Sequence, residues 1–131
     1  MDLDAIRARI PDYADYGDIN ARHQVDKQIR AVLGEALSAA RDHFRPEGGL
    51  GERLDGMILR CEFSDQRVIR ASDRAHLDGA TVDHIHALDR QLIESADRVR
   101  AVDAVDALPA ALDDAARLLD ERFGAIADAP S

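Results

Sequence analysis

The sequence predicts an all-α protein, specifically an up-down antiparallel four-helix bundle with a short N-terminal helix. Three observations predict this class. Apolar residues recur every three or four positions along four long segments, a spacing that places them on one face of a helix. Glycine and proline number only 8 and 4 among 131 residues, which disfavours a β-protein rich in tight turns. Alanine and leucine, both good helix formers, are abundant.

The N-terminal third of the chain contains two predicted helices. A short helix covers residues 3–10 and ends at Pro11, because the residue before a proline disfavours helical backbone. A long second helix spans residues 18–44, with Asp18 as its N-cap. Its apolar stripe consists of Ile19, Val25, Ile29, Val32, Leu33, Ala36, Leu37, Ala40 and Phe44.

Three further helices are predicted after the stop-and-turn stretch "RPEGG". The third covers residues 50–71 and is followed by a loop over 72–80. The fourth begins at Thr81 as its cap. The fifth starts near Pro109, a residue suited to the first turn of a helix, and ends before Gly124, which we expect to adopt a left-handed C-terminal conformation.

The connections between the long helices are short, so consecutive helices should run antiparallel. The whole chain, residues 1–131, is expected to form a single helical domain. Residues 1–17 are an N-terminal appendage and residues 125–131 a frayed tail.

Composition excludes several classes of partner. The net charge of −9 repels phosphate groups, so we expect neither nucleic acid nor an anionic membrane surface as a partner. The sequence does not show the basic start and following apolar run of a signal peptide. It also has no apolar run long enough to span a bilayer. A cytoplasmic protein of a prokaryotic kind is therefore expected.

Both tyrosines of the chain, Tyr13 and Tyr16, lie in the stretch "PDYADYGD" between the first two predicted helices. One interpretation is that they pack on the end of the bundle and fix the entry into the long helix. The other is that they form an interaction surface for a partner chain, since tyrosine is favoured at interfaces. The two interpretations are compatible.

The stretches "IPDYADYGD" and "VDKQIR" resemble the opening of a group of small bacterial helical-bundle proteins without an assigned function. The pattern of that group reads I-P-G-Y-x-G-Y, followed by a helix with A-D-K-x-x-R; in this chain aspartate replaces both glycines. The later segments "RVIRAS" and "LDRQL" are similar as well. The resemblance implies a helical fold and no known activity. The matching positions are Ile10, Pro11, Tyr13, Tyr16, Asp26, Lys27 and Arg30.

Histidine and aspartate recur three residues apart, which suggests a metal-binding bundle as an alternative function. Bundles that hold two metal ions use a carboxylate and a histidine at this spacing on neighbouring helices. In so acidic a chain about half of the observed pairs are expected by chance. The candidate ligands are His23, Asp26, Asp83, His86 and Asp89.

The same aspartates have a structural interpretation. Asp26, Asp65 and Asp89 lie at the edges of apolar stripes, and a buried carboxylate without a partner is costly. Pairing with arginine would satisfy them and fix the register of the helices. The arginines within reach are Arg22, Arg30, Arg67 and Arg70.

Other features of the sequence favour no catalytic site. Cys61 lies in the stripe of the third helix and is expected to be a small buried residue. There is no phosphate-binding loop and no nucleophile elbow. A polar notch at Ser64 and Asp65, together with the small Ala36 and Ala96, leaves a ligand pocket in the core as a further possibility.

The sequence therefore predicts a helical bundle that acts through protein contacts, as a homo-oligomer or as an adaptor. It predicts no catalytic residue, no cofactor and no bound metal, and it leaves the question of a small ligand open.

Overall fold

The computed structural model describes residues 2–14, 16, 18, 21–63 and 76–128, and the regular structure of these residues is entirely helical. This confirms the all-α class. A short 3-10 turn, Val105–Ala107, precedes the last helix. The helices are α1 (Asp2–Arg9), α2 (Arg22–Phe44), α3 (Gly48–Glu62), α4 (Gly79–Ala101) and α5 (Leu108–Ala127).

Helix α2 begins later than predicted. Its N-cap position is Ala21, no side chain caps it, and Asp18 is not the cap. The carbonyl oxygen of Asp18 instead accepts a hydrogen bond from the N–H of Ala21 at 3.0 Å. The physical reason lies just upstream, where the chain turns inward to bury Tyr16 before the helix can start.

The turn between α2 and α3 lies within the predicted stretch but is shorter than predicted, because Gly48 and Gly49 already belong to α3. Arg45 ends α2 in the left-handed conformation, with φ of 48°, and its N–H bonds the carbonyl oxygen of Arg41. Gly48 opens α3 with φ of +64°, which glycine adopts at little cost. Helix α3 ends at Glu62. Phe63, which was predicted to be helical, is the extended C-cap of α3, and residues 64–71 of the predicted helix, with Ser64 and Asp65, lie outside the described residues.

Helix α4 begins before its predicted first residue, and α5 continues past its predicted last residue. Asp78, not Thr81, caps α4, because its carboxylate accepts the N–H of Thr81 at 2.8 Å. Pro109 lies in the first turn of α5, as predicted. The helix continues through Gly124 to Ala127, because Ile126 is buried in the core and holds the last turn. Residues 125–127 therefore belong to the helix.

The apolar faces of the helices meet in one hydrophobic cluster. Helix α2 packs against α3 and α4, α4 packs against α5, and α1 packs against α4. At Gly34 the backbone of α2 comes so close to α3 that a Cβ atom there would lie 3.1 Å from that of Cys61. Cys61 is buried, as predicted. Within the described ranges, no helix is both long and apolar enough to cross a membrane.

A buried polar network and an adjoining cavity

Seven polar side chains meet inside the bundle and form what we call the buried network. They come from the segment before α2 and from helices α2, α4 and α5, which is why no single stretch of sequence reveals the group. All seven side chains are buried, although five of them are aspartate, arginine or histidine, which carry or readily gain a charge near neutral pH. The members are Tyr13, Tyr16, Asp26, Arg30, His86, Asp89 and Arg122.

Positive and negative charges alternate through the network. Asp89, which is fully buried, accepts Nε of Arg122 at 2.7 Å. Nη1 of Arg122 donates to Asp26 at 2.6 Å, and Nε of Arg30 donates to the other oxygen of Asp26 at 2.9 Å. Two carboxylates are thus neutralised by two guanidinium groups, which is the condition for holding them away from water.

Arg30 also connects the network to α3. Its Nη1 donates to the carbonyl oxygen of Cys61 at 2.7 Å. That carbonyl belongs to the last turn of α3, where backbone oxygens lack partners within the helix and a positive charge is favourable. The four long helices therefore all contribute an atom to one connected set of hydrogen bonds.

The two tyrosines attach the N-terminal segment to this set. The hydroxyls of Tyr13 and Tyr16 both donate to the same oxygen of Asp89, at 2.6 and 2.8 Å. Their rings meet edge to face, with centroids 6.4 Å apart. The backbone carbonyl of Tyr13 accepts a hydrogen bond from Nε of Arg7 at 3.0 Å, and that of Tyr16 accepts one from Nε of Arg22 at 2.6 Å. Each tyrosine is thus held at both its hydroxyl and its backbone.

His86 completes the network through Tyr13. Its Nδ1 lies 2.9 Å from the hydroxyl oxygen of Tyr13. A phenol has one proton, and that of Tyr13 is donated to Asp89, so the proton between Tyr13 and His86 must belong to the imidazole. Nδ1–H of His86 therefore donates to the hydroxyl oxygen, which fixes the protonated nitrogen of the ring.

The network shifts the pKa values of its members in opposite directions. Burial alone would raise the pKa of Asp26, but Arg122 and Arg30 outweigh it and hold that pKa below its ordinary value. Burial, reinforced by the negative charge of Asp89, raises the pKa of both Tyr13 and Tyr16 well above 10. The carboxylate is therefore charged and both phenols are neutral across the physiological pH range.

Burial also raises the pKa of Cys61, to about 11, against the opposing effect of Arg30. The thiol therefore stays protonated near neutral pH. Since the thiolate is the reactive form of cysteine, this position does not suit a nucleophile.

The sequence predicted part of this network. Pairing of Asp26 and Asp89 with arginine is confirmed, and so is the participation of Arg30. Sequence reasoning missed Arg122, although it lies three residues after Leu119 on the apolar face of α5, where a charged residue is unexpected. Asp65, Arg67 and Arg70, which the sequence also placed among the candidate pairs, lie outside the described residues.

The candidate metal ligands are not brought together as a site. Asp26 and Asp89 both bond the guanidinium of Arg122, and His86 bonds Tyr13. His23 and Asp83 are exposed. Among the described residues, no three histidine, cysteine or acidic side chains are placed to hold a metal ion.

Burial of Tyr13 and Tyr16 agrees with the packing interpretation of these residues. Their use as an interaction surface stays a prediction, and it would require both side chains to leave the interior.

A cavity of about 380 Å³ lies beside the buried network, between α3 and α5. Asp26, Arg30 and Arg122 form its charged base, and Arg60 joins them from α3. The rest of its lining is apolar or lacks a side chain, and consists of Gly56, Leu59, Phe63, Leu119 and Phe123.

Two apolar side chains at this cavity are open to water. Leu59 and Phe63 are 54% and 67% exposed, and they lie four residues apart at the end of α3. Among the described residues, Val105 is the other large apolar side chain with comparable exposure. We call the pair Leu59 and Phe63 the apolar surface.

Comparison of the chain with protein-family models, with curated proteins and with solved structures found no match. The resemblance based on Tyr13, Tyr16, Asp26 and Arg30 therefore stays a prediction, although all four residues belong to the buried network.

Proposed function

We propose that the protein acts as an adaptor that binds another protein through the apolar surface of Leu59 and Phe63. The exposure of these two side chains is the observation that carries the proposal. Adjacent exposed apolar groups are a common mark of an interaction site. Their spacing of four residues suits a partner helix that presents apolar side chains at intervals of three and four.

The charge of the chain favours a different protein over a second copy. Two copies would each carry a net charge of −9 and repel one another, whereas a partner with basic groups would be attracted. The buried network has a structural role in this proposal, because each of its charged groups is paired with an opposite charge.

An up-down arrangement of the four long helices is part of the proposal. The relative direction of two helices follows from two contacts between them. In an antiparallel pair, the contact with the higher residue number on one helix has the lower residue number on the other. Support for antiparallel pairs comes from Arg30–Cys61 with Arg41–Asp55 for α2 and α3, and from Asp89–Arg122 with Arg98–Asp114 for α4 and α5. Support for a parallel α3 and α5 comes from Arg53–Asp113 with Arg60–Asp120.

A cytoplasmic location also belongs to the proposal. It is supported by the presence of a single cysteine, Cys61, which is free and buried, since disulfides are typical of oxidising compartments and rare in the cytosol.

The test is a binding experiment with the apolar surface removed. Captured proteins are compared for the parent, for the double variant Leu59→Ser/Phe63→Ser, and for Val105→Ser as a matched exposed control. A captured protein is then purified and titrated against all three. We expect the double variant to lose at least about tenfold in affinity and the control to bind like the parent.

Two results would contradict the adaptor role. One is a captured set that does not change when Leu59 and Phe63 are replaced. The other is self-association of the parent in a light-scattering concentration series, abolished by the double variant, which would assign the apolar surface to a second copy.

A further inference from the structure

The cavity between α3 and α5 has the size and lining of a ligand site. Small-molecule sites are concave, have volumes of about 300–1,000 Å³ and combine apolar walls with a few polar groups. In this cavity Leu59, Phe63, Leu119 and Phe123 supply apolar walls, and the volume is about 380 Å³.

Gly56 lines this cavity and has no side chain to fill it. It lies in the interior of α3, where glycine weakens a helix relative to alanine. Packing does not require a glycine there, because a Cβ atom at this position would meet nothing within 4 Å. Gly56 is exposed and lines the cavity, so a side chain at this position would extend into open space at the cavity.

Arg122 offers hydrogen-bond donors at the base of the cavity. Its side chain is 4% exposed, and it donates to Asp89, Asp26 and Tyr16. A guanidinium has five N–H groups, so these three bonds leave two of them without a partner among the described residues. Arg60 adds a second guanidinium, whose exposed ion pair with Asp120 is weak and easily exchanged.

We propose that this cavity binds a small aliphatic carboxylate. The ligand carboxylate accepts hydrogen bonds from the remaining N–H groups of Arg122 and from the guanidinium of Arg60. The planar fork of an arginine matches the two oxygens of a carboxylate. The aliphatic chain lies against Leu59, Phe63 and Phe123. This site shares Leu59 and Phe63 with the apolar surface proposed above, but its ligand is bound and tested without a partner protein.

Three probes that share an eight-carbon chain and differ in the head group test the ligand class: octanoate, octan-1-ol and octylamine. Binding is measured by calorimetry at millimolar probe concentrations and located by amide chemical shifts. We expect octanoate to bind at least about tenfold more tightly than the other two and to shift the amide signals of Gly56 and Arg60. Equal binding of all three probes, or no binding of octanoate, would overturn the proposal.

A cavity-filling variant tests the location. Gly56→Leu places a side chain in the open space, and Gly49→Leu is the matched control, because Gly49 lies in the same helix, away from the cavity, and also has nothing within 4 Å of a Cβ atom. Both variants should melt no lower than the parent. Octanoate affinity should fall at least about tenfold in Gly56→Leu and stay unchanged in Gly49→Leu. Parent-like octanoate binding by Gly56→Leu would place the ligand elsewhere and refute the assignment.

Discussion

At the scale of single residues, Arg122 is expected to have a large effect on stability, because its guanidinium lies between two buried carboxylates. Arg122→Met would leave Asp89 uncompensated and Asp26 with half of its partners. Removing one partner from a buried ion pair typically costs about 3–5 kcal/mol. We expect a loss of this size in the free energy of unfolding, measured by urea denaturation.

Arg117→Met is the matched control, because Arg117 lies on the same helix and pairs with Asp114 and Glu121 at the surface. Exposed pairs contribute about 0–1 kcal/mol. If Arg122→Met does not fold, Arg122→Lys replaces it in the comparison. Lysine keeps the positive charge but loses the planar guanidinium that bonds both carboxylates, so this variant should still be less stable than Arg117→Met. Equal stability of the Arg122 and Arg117 variants would show that the network contributes little.

The proton position on His86 is a second prediction at this scale. The hydroxyl of Tyr13 donates to Asp89, so Nδ1 of His86 must carry a proton to complete the contact with Tyr13. Imidazole ¹⁵N chemical shifts distinguish a protonated from an unprotonated nitrogen. We expect the Nδ1 signal of His86 to be that of an N–H nitrogen at neutral pH, and to change in Tyr13→Phe. An unprotonated Nδ1 in the parent would contradict donation from His86 to Tyr13.

At the scale of the helix, the apolar stripes determine which faces are buried. Leu92, in the middle of α4, is almost fully buried. Leu92→Asp would place an unpaired carboxylate in the core, and we expect a loss of more than about 4 kcal/mol, with unfolding of the domain as the extreme outcome. Leu59→Asp makes the same change at an exposed leucine. Circular dichroism melting should show a parent-like transition for Leu59→Asp, and a parent-like transition for Leu92→Asp would refute the assigned burial.

Periodicity predicted the helices better than it predicted their ends. The stripes of α2, α4 and α5 depend on a spacing that extends over many residues, so a single misleading residue does not hide them. Caps depend on one residue each, and several aspartates and threonines compete for the role; Asp78 is the cap where Thr81 was predicted. The end of α5 was misplaced because the burial of Ile126 outweighs the tendency of Gly124 to end a helix.

At the scale of the whole molecule, the buried network depends on contacts that sequence spacing does not encode. Asp26 and Arg30 are one helical turn apart, so their pairing can be predicted locally. Arg122 meets Asp26 across 96 residues, and Tyr13 meets Asp89 across 76. Such contacts follow only once the helices are placed, which is why the tyrosines were predicted as a pair but their acceptor was not.

The network should make the whole molecule sensitive to alkaline pH. Tyr13 and Tyr16 have raised pKa values in the folded state, so folding favours their neutral form. This contribution to stability is fully present below the unfolded tyrosine pKa of about 10 and decreases as the pH rises above it, because only the unfolded chain then ionises readily. Since both phenols bond the same carboxylate, neither should ionise while the fold persists.

Absorbance at 295 nm measures this directly, because the chain has two tyrosines and no tryptophan. In the folded protein, phenolate should form in one cooperative step, above the pH at which the chain titrates in concentrated urea. That step should coincide with the loss of helical circular dichroism at 222 nm, because the network connects the N-terminal segment to all four long helices and its loss unfolds them together. Gradual ionisation near pH 10 with the helices intact would show that the tyrosines are accessible to solvent, and the N-terminal segment would then be free to serve as an interaction surface.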